Sequence, residues 1–183
     1  IMKRLLILIA FLLGCTPIFA QEKLPVVASF SIVGDVVKQI GGDRVNVTML
    51  VGSNADAHGY QPKPADAKAV ADAKLIVVNG LGFDAWMQRL QKSSGSKAPL
   101  VIASAAIKPL KESDDGHGHG ENDPHAWHDP ANLKLYARTI RDALVAADPA
   151  GRETYDQRLS AYDAALTALD TENRAALATI PPE

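Results

Sequence analysis

Strand-like and helix-like stretches alternate from residue 24 to residue 104, and that alternation restricts the chain to very few folds. "LPVVASF" (Leu24–Phe30) is an apolar strand. In "SIVGDVVKQIGG", Ser31 suits a helix cap, and Ile32, Val36 and Ile40 recur at helical spacing beside Val33 and Val37. Gly41 and Gly42 stop that helix. "RVNVTMLV" (44–51) alternates as a strand does. After the loop "GSNADAHGYQPKP", Pro64 and Asp66 suit the first turn of a helix running to about Ala73. "KLIVVNG" (74–80) is a strand, "FDAWMQRL" a short helix, and "APLVIAS" (98–104) a further strand. Strands separated by helices pair in parallel and need cover on both faces. The expected fold class is therefore α/β: a mostly parallel sheet with flanking helices.

Beyond residue 129 the pattern is wholly helical. Asp129 and Pro130 make a cap and first-turn pair. Leu133, Tyr136, Ile140 and Leu144 then mark one face of a helix to about Ala147. Asp148 and Pro149 repeat the pair, and Tyr155, Leu159, Tyr162, Leu166 and Leu169 stripe a second helix to about Ala178. Long helices after a compact α/β unit read as a connecting spine. The expected organisation is a segment 1–20, an α/β lobe over 21–129 carrying a His-rich loop at 113–122, and a helical segment over 130–180.

Residues 1–20 have the order of a secretory signal peptide. Lys3 and Arg4 precede the apolar run "LLILIAFLLG", and "TPIFA" leads to a small residue at Ala20. The run is shorter than the roughly 20 residues of a membrane span. The chain has 1 cysteine, Cys15, in "LLGC", which resembles a lipobox; Leu13 fits that pattern poorly, so cleavage after Ala20 is expected ahead of lipid anchoring at Cys15. A chain cleaved at Ala20 has no disulfide and no thiolate ligand, so nitrogen and oxygen must hold any metal. Residues 1–20 carry two positive charges and no acidic ones, so their removal takes the formal net charge from -2 to -4. That balance argues against a nucleic-acid partner.

Of the 5 histidines, four fall between positions 117 and 128, and His58 lies far upstream. His58 sits in a strand-to-helix loop, where ligands collect in open parallel sheets, and Pro62 and Pro64 stiffen it. Asp56 and Tyr60 are candidates to orient its ring. His125, in "DPHAWHDP", occupies a similar loop just before the Asp129–Pro130 cap. A pair of imidazoles brought together by two loops is half a site for zinc, or for manganese or iron once carboxylates join. His128 is either a further ligand or an exposed residue at the helix start. His117 and His119, in "GHGHG", either gather metal loosely or only solvate their loop. Trp127 is expected to pack in the core.

These features resemble a known family: the metal-binding receptors that serve ABC importers of zinc and manganese. "DAHGYQPKPAD" stands where that family carries its first histidine ligand, and "DPHAWHDPAN" is similar to the segment with its second. "NGLGFDAW" is similar to the family's strand-to-helix turn, and the acidic His-rich insertion is typical of zinc-specific members. The resemblance runs from about residue 24 to the last residue. It implies two α/β lobes joined by a rigid helix, with His58 and His125 as metal ligands and the remaining ligands on a C-terminal lobe absent from this sequence. His128 departs from the family's more common apolar residue. The function implied is capture of Zn2+ (alternatively Mn2+) in the periplasm, by a monomer, for delivery to an ABC permease in the inner membrane. No enzymatic activity is expected. A zinc-dependent hydrolase, with Asp56, Asp123 or Asp129 opposite a metal-bound water, and a periplasmic zinc chaperone are the rival readings.

Overall fold

The computed structural model describes residues 22–111 and 122–180. Four strands, β1 (Leu24–Phe30), β2 (Val45–Val51), β3 (Leu75–Val78) and β4 (Leu100–Ile102), form one sheet in the order β2-β1-β3-β4. Every pairing is parallel. Helices α1 (Ser31–Gly41), α2 (Pro64–Asp72) and α3 (Trp86–Ser94) are the crossovers, and α4 (Pro130–Ala147) and α5 (Arg152–Leu177) follow. This is the α/β fold that the alternation predicts. Among the described residues, no helix is long and apolar enough to cross a membrane.

The period of two along the strands sorts side chains between two cores. Val26, Ala28 and Phe30 of β1 and Leu75 and Val77 of β3 face α1, α4 and α5, joining Val33, Val36, Ile40, Tyr136, Ile140 and Tyr155. Val27, Ile76 and Val78 point the other way, onto Val70 of α2 and Met87 and Leu90 of α3. Burial on both faces explains why β1 and β3 read as unbroken apolar runs.

Local chemistry sets the helix ends, with two departures from expectation. Ser31 is the first residue of α1 rather than its cap, and Phe30 in extended conformation occupies the cap position. Asp129 does cap α4, accepting the Ala131 N–H at 2.8 Å, and Pro130 follows it. Asp148 does not repeat the device. Its carboxylate is taken by Arg44 Nε at 2.9 Å and the Tyr155 hydroxyl at 2.6 Å, and a short 3-10 turn, Pro149–Gly151, precedes α5.

On either side of the His-rich run, the described residues are pinned. Lys111 bridges Asn122 in antiparallel fashion, the Asp123 N–H donates to the Leu110 carbonyl at 2.9 Å, and Pro124 is buried. The stripe on α5 buries Tyr155 and Leu166 and packs Leu159 and Tyr162 against the core, but leaves Leu169 exposed.

Candidate metal centre

Strand order reverses direction between β1 and β3, and in an open parallel sheet the crevice at the carboxyl ends beside that point is where ligands bind. Here it has an aromatic floor. Phe30 ends β1, and its ring lies 5.0 Å from both Phe83, in the turn after β3, and Trp127. Phe83 and Trp127 are also 5.0 Å apart, edge to face. Trp127 is 8% exposed and belongs to the core, as expected.

The two predicted histidines meet above this floor. His58 comes from the loop after β2, where Asp56 Oδ1 accepts the His58 backbone N–H at 2.9 Å. Tyr60, a candidate to orient the ring, instead donates to Asp66 Oδ2 at 2.7 Å and packs at a tilt against Trp86, helping to dock the loop onto α2 and α3. Burial and the Asp66 carboxylate push the Tyr60 hydroxyl up to about 12, so it remains a donor at neutral pH. The His58 ring lies edge-on to Phe83 with centroids 5.0 Å apart.

His125 is fixed by its own loop. Asp123 Oδ1 accepts both the His125 backbone N–H at 2.9 Å and its ring Nδ1 at 2.8 Å. These two bonds, the backbone one foremost, hold the Asp123 carboxyl below its usual range. An ionised carboxylate only accepts, so Nδ1 carries the proton, and in the neutral ring Nε2 keeps its lone pair. That Nε2 lies 3.3 Å from His58 Nε2. Two imidazole nitrogens each about 2.05 Å from a tetrahedral ion lie roughly 3.3 Å apart, so the spacing fits a shared cation.

His128 is exposed, with its ring 6.4 Å from that of His125. It lines a cleft of about 340 Å³ together with Lys108, Asp123, Asp129 and Asn132. His117 and His119 lie outside the described residues. Among the described residues, no group of three or more His, Cys, Asp or Glu side chains is placed to hold a metal. Among the described residues, the pair contributes two nitrogen donors.

A buried polar cluster beneath the site was not anticipated. Asp84 Oδ2 accepts from the Ser29 hydroxyl and from the Asn79 N–H, each at 2.6 Å, and Oδ1 accepts from the Gly80 N–H at 3.0 Å. Burial pushes the Asp84 carboxyl up in spite of these bonds. Tyr136 of α4 donates to Asn79 Oδ1 at 2.6 Å. Gly80, at φ +89°, admits no side chain, because a Cβ there would run into Ile102 and Ser104. The signal for the cluster was "VVNGLGFD", where an apolar strand ends in Asn and an Asp follows five residues later.

Fold and site define a class, the α/β lobe that presents ligand-binding groups at the carboxyl edge of a parallel sheet. Within that class, the family model described as zinc-uptake complex component A, periplasmic (ZnuA), matches residues 26–183, and the chain belongs to this family. It is 42% identical over 164 residues to a manganese-binding lipoprotein of Halalkalibacterium halodurans, covering 88% of this chain and 52% of that one. A manganese ABC transporter substrate-binding lipoprotein of Streptococcus gordonii is 36% identical, with 90% of this chain and 54% of that one covered. A manganese-bound periplasmic metal-binding protein variant from Candidatus Liberibacter asiaticus superposes with TM-score 0.78 at 30% identity, over 88% of this chain and 59% of that one. The chain thus spans about half the length of the curated relatives it matches. These are names of binding and transport proteins, not of enzymes, in line with the expectation of no enzymatic activity.

Proposed function

We propose that this chain is the N-terminal lobe and spine helix of an exported receptor that captures a divalent transition metal and passes it to an ABC permease. His58 and His125 are the ligands this lobe contributes, and a second lobe supplies the rest. One observation carries the reading: the two Nε2 atoms lie 3.3 Å apart, above an aromatic floor at the point where strand order reverses. Membership of the zinc-uptake family and the names of the relatives support the transport role. That the relatives are lipoproteins favours a lipid anchor at Cys15 over release by cleavage at Ala20, reversing the order inferred from the lipobox alone.

Zinc is favoured by the His-rich run around His117 and His119, which suits loose collection of a nitrogen-seeking ion. Manganese has a specific argument of its own, the metal named for the relatives quoted above. A competition titration with zinc and then manganese decides between them. It is run on the wild type, His58→Ala, His125→Ala and a deletion of residues 113–121. One equivalent, lost in either alanine variant and kept after the deletion, is the expected result. Binding that survives both alanine variants and disappears with the loop overturns the assignment of ligands.

A further inference from the structure

We propose that Asn79 and Asn132 are positioning residues that clamp the backbone on either side of His125 and hold its ring where the cation binds. This rests on His125 being a metal ligand. Asn79 Nδ2 donates to the carbonyl of Pro124 at 3.0 Å, and Asn132 Nδ2 donates to the carbonyl of Ala126 at 3.0 Å. The residues bonded are the immediate neighbours of His125, one on each side.

The two amides reach the loop from different elements. Asn132 lies in the first turn of α4 and is half-buried. Asn79 lies just past β3, is fully buried, and spends every polar atom. Its N–H donates to Asp84 at 2.6 Å, and its carbonyl accepts from the Ser104 N–H at 3.2 Å. Its Oδ1 accepts from Tyr136 at 2.6 Å, and Nδ2 serves Gly80 at 3.1 Å as well as Pro124. The Pro124 and Gly80 carbonyls can only accept, which settles the direction of the amide.

The clamp complements Asp123. Asp123 turns the ring about its own bonds, whereas the asparagines set where the Cα of His125 stands relative to the sheet and α4. The geometry makes this demanding, since two donors can share one ion only while their nitrogens keep about the spacing a tetrahedral shell requires. A backbone shift well below the length of one bond spoils it.

The test uses the full chain and zinc(II) alone, with two readouts: imidazole nitrogen NMR of the metal-free protein, and zinc affinity by competition. Asn79→Ala and Asn132→Ala are expected to perturb the His125 ring signals without metal and to weaken zinc binding by about 10–100-fold, as partners of ligating groups do. Tyr136→Phe removes a neighbouring bond but leaves Nδ2 on Pro124. It is expected to lower stability yet keep zinc affinity within a few-fold of wild type, a split that a merely structural role for Asn79 does not produce. If Asn79→Ala does not fold, the half-buried Asn132→Ala carries the same comparison. Wild-type ring signals and affinity in the asparagine variants, with His125→Ala losing zinc, overturn the clamp and leave the ligand reading standing. Zinc retained in both His58→Ala and His125→Ala overturns the ligand reading, and the clamp falls with it.

Discussion

Asp123 decides which nitrogen of His125 keeps its lone pair, because a carboxylate acceptor on Nδ1 leaves that pair on Nε2. Replacing it with asparagine keeps the size but removes the charge that fixes the tautomer. Asp123→Asn is expected to weaken zinc binding by about 10–100-fold, read by competition against a chelator of known affinity. Trp127 acts on stability instead. It is 8% exposed and contacts Phe30 and Phe83, so Trp127→Ala is expected to cost about 3–5 kcal/mol in urea denaturation. His58, His125 and Trp127 could be picked out in the sequence because each sits in a loop of distinctive composition beside a helix start. Asn79 and Asp84 carry a fainter signal. "NG" after a strand reads as turn chemistry, and their burial depends on Tyr136, 57 residues away from Asn79, folding back over them. Nor does sequence reveal that Tyr60 turns to Asp66, since either neighbour of His58 had the chemistry to orient its ring.

At the scale of elements, α5 is fastened to the lobe at its first turn. Arg44, just before β2, grips Asp148 through two nitrogens at 2.9 and 3.0 Å, and Tyr155 of α5 donates to the same carboxylate at 2.6 Å. Burial works against the charge on Asp148, but the Tyr155 hydroxyl and the Arg44 guanidinium outweigh it and hold the carboxyl below its ordinary value. A carboxyl depressed in the folded state contributes stability that is present above its unfolded pKa, about 4, and fades as pH falls through the folded value. Asp148→Asn is therefore expected to lose roughly 1–3 kcal/mol near neutral pH. The loss should shrink below about pH 4, where wild type loses the same contribution, in denaturant titrations run across that range. Asp129 and Asp148 precede proline in the same way in the sequence. Asp129 caps a helix and, among the described residues, makes no ion pair, whereas Arg44 takes the Asp148 carboxylate. Alternation and helical stripes located every strand and long helix among the described residues; the choice between cap and ion pair is a long-range matter.

At the scale of the molecule, α5 is about 39 Å long at the usual rise per residue, and Leu166 is the last of its buried residues. Leu169 and Leu177 beyond that point are exposed. This suits the proposed role of a spine running past the lobe toward a second one, and the chain covers only about half of its curated relatives. The central claim is that His58 and His125 share one ion through their Nε2 atoms. Crystals of the full chain soaked in zinc, with anomalous diffraction collected at the zinc edge, test it directly. The account predicts a peak about 2.0–2.1 Å from both Nε2 atoms. A peak confined to the His-rich run at 113–121, with the two rings still in mutual contact and no ion between them, would contradict it.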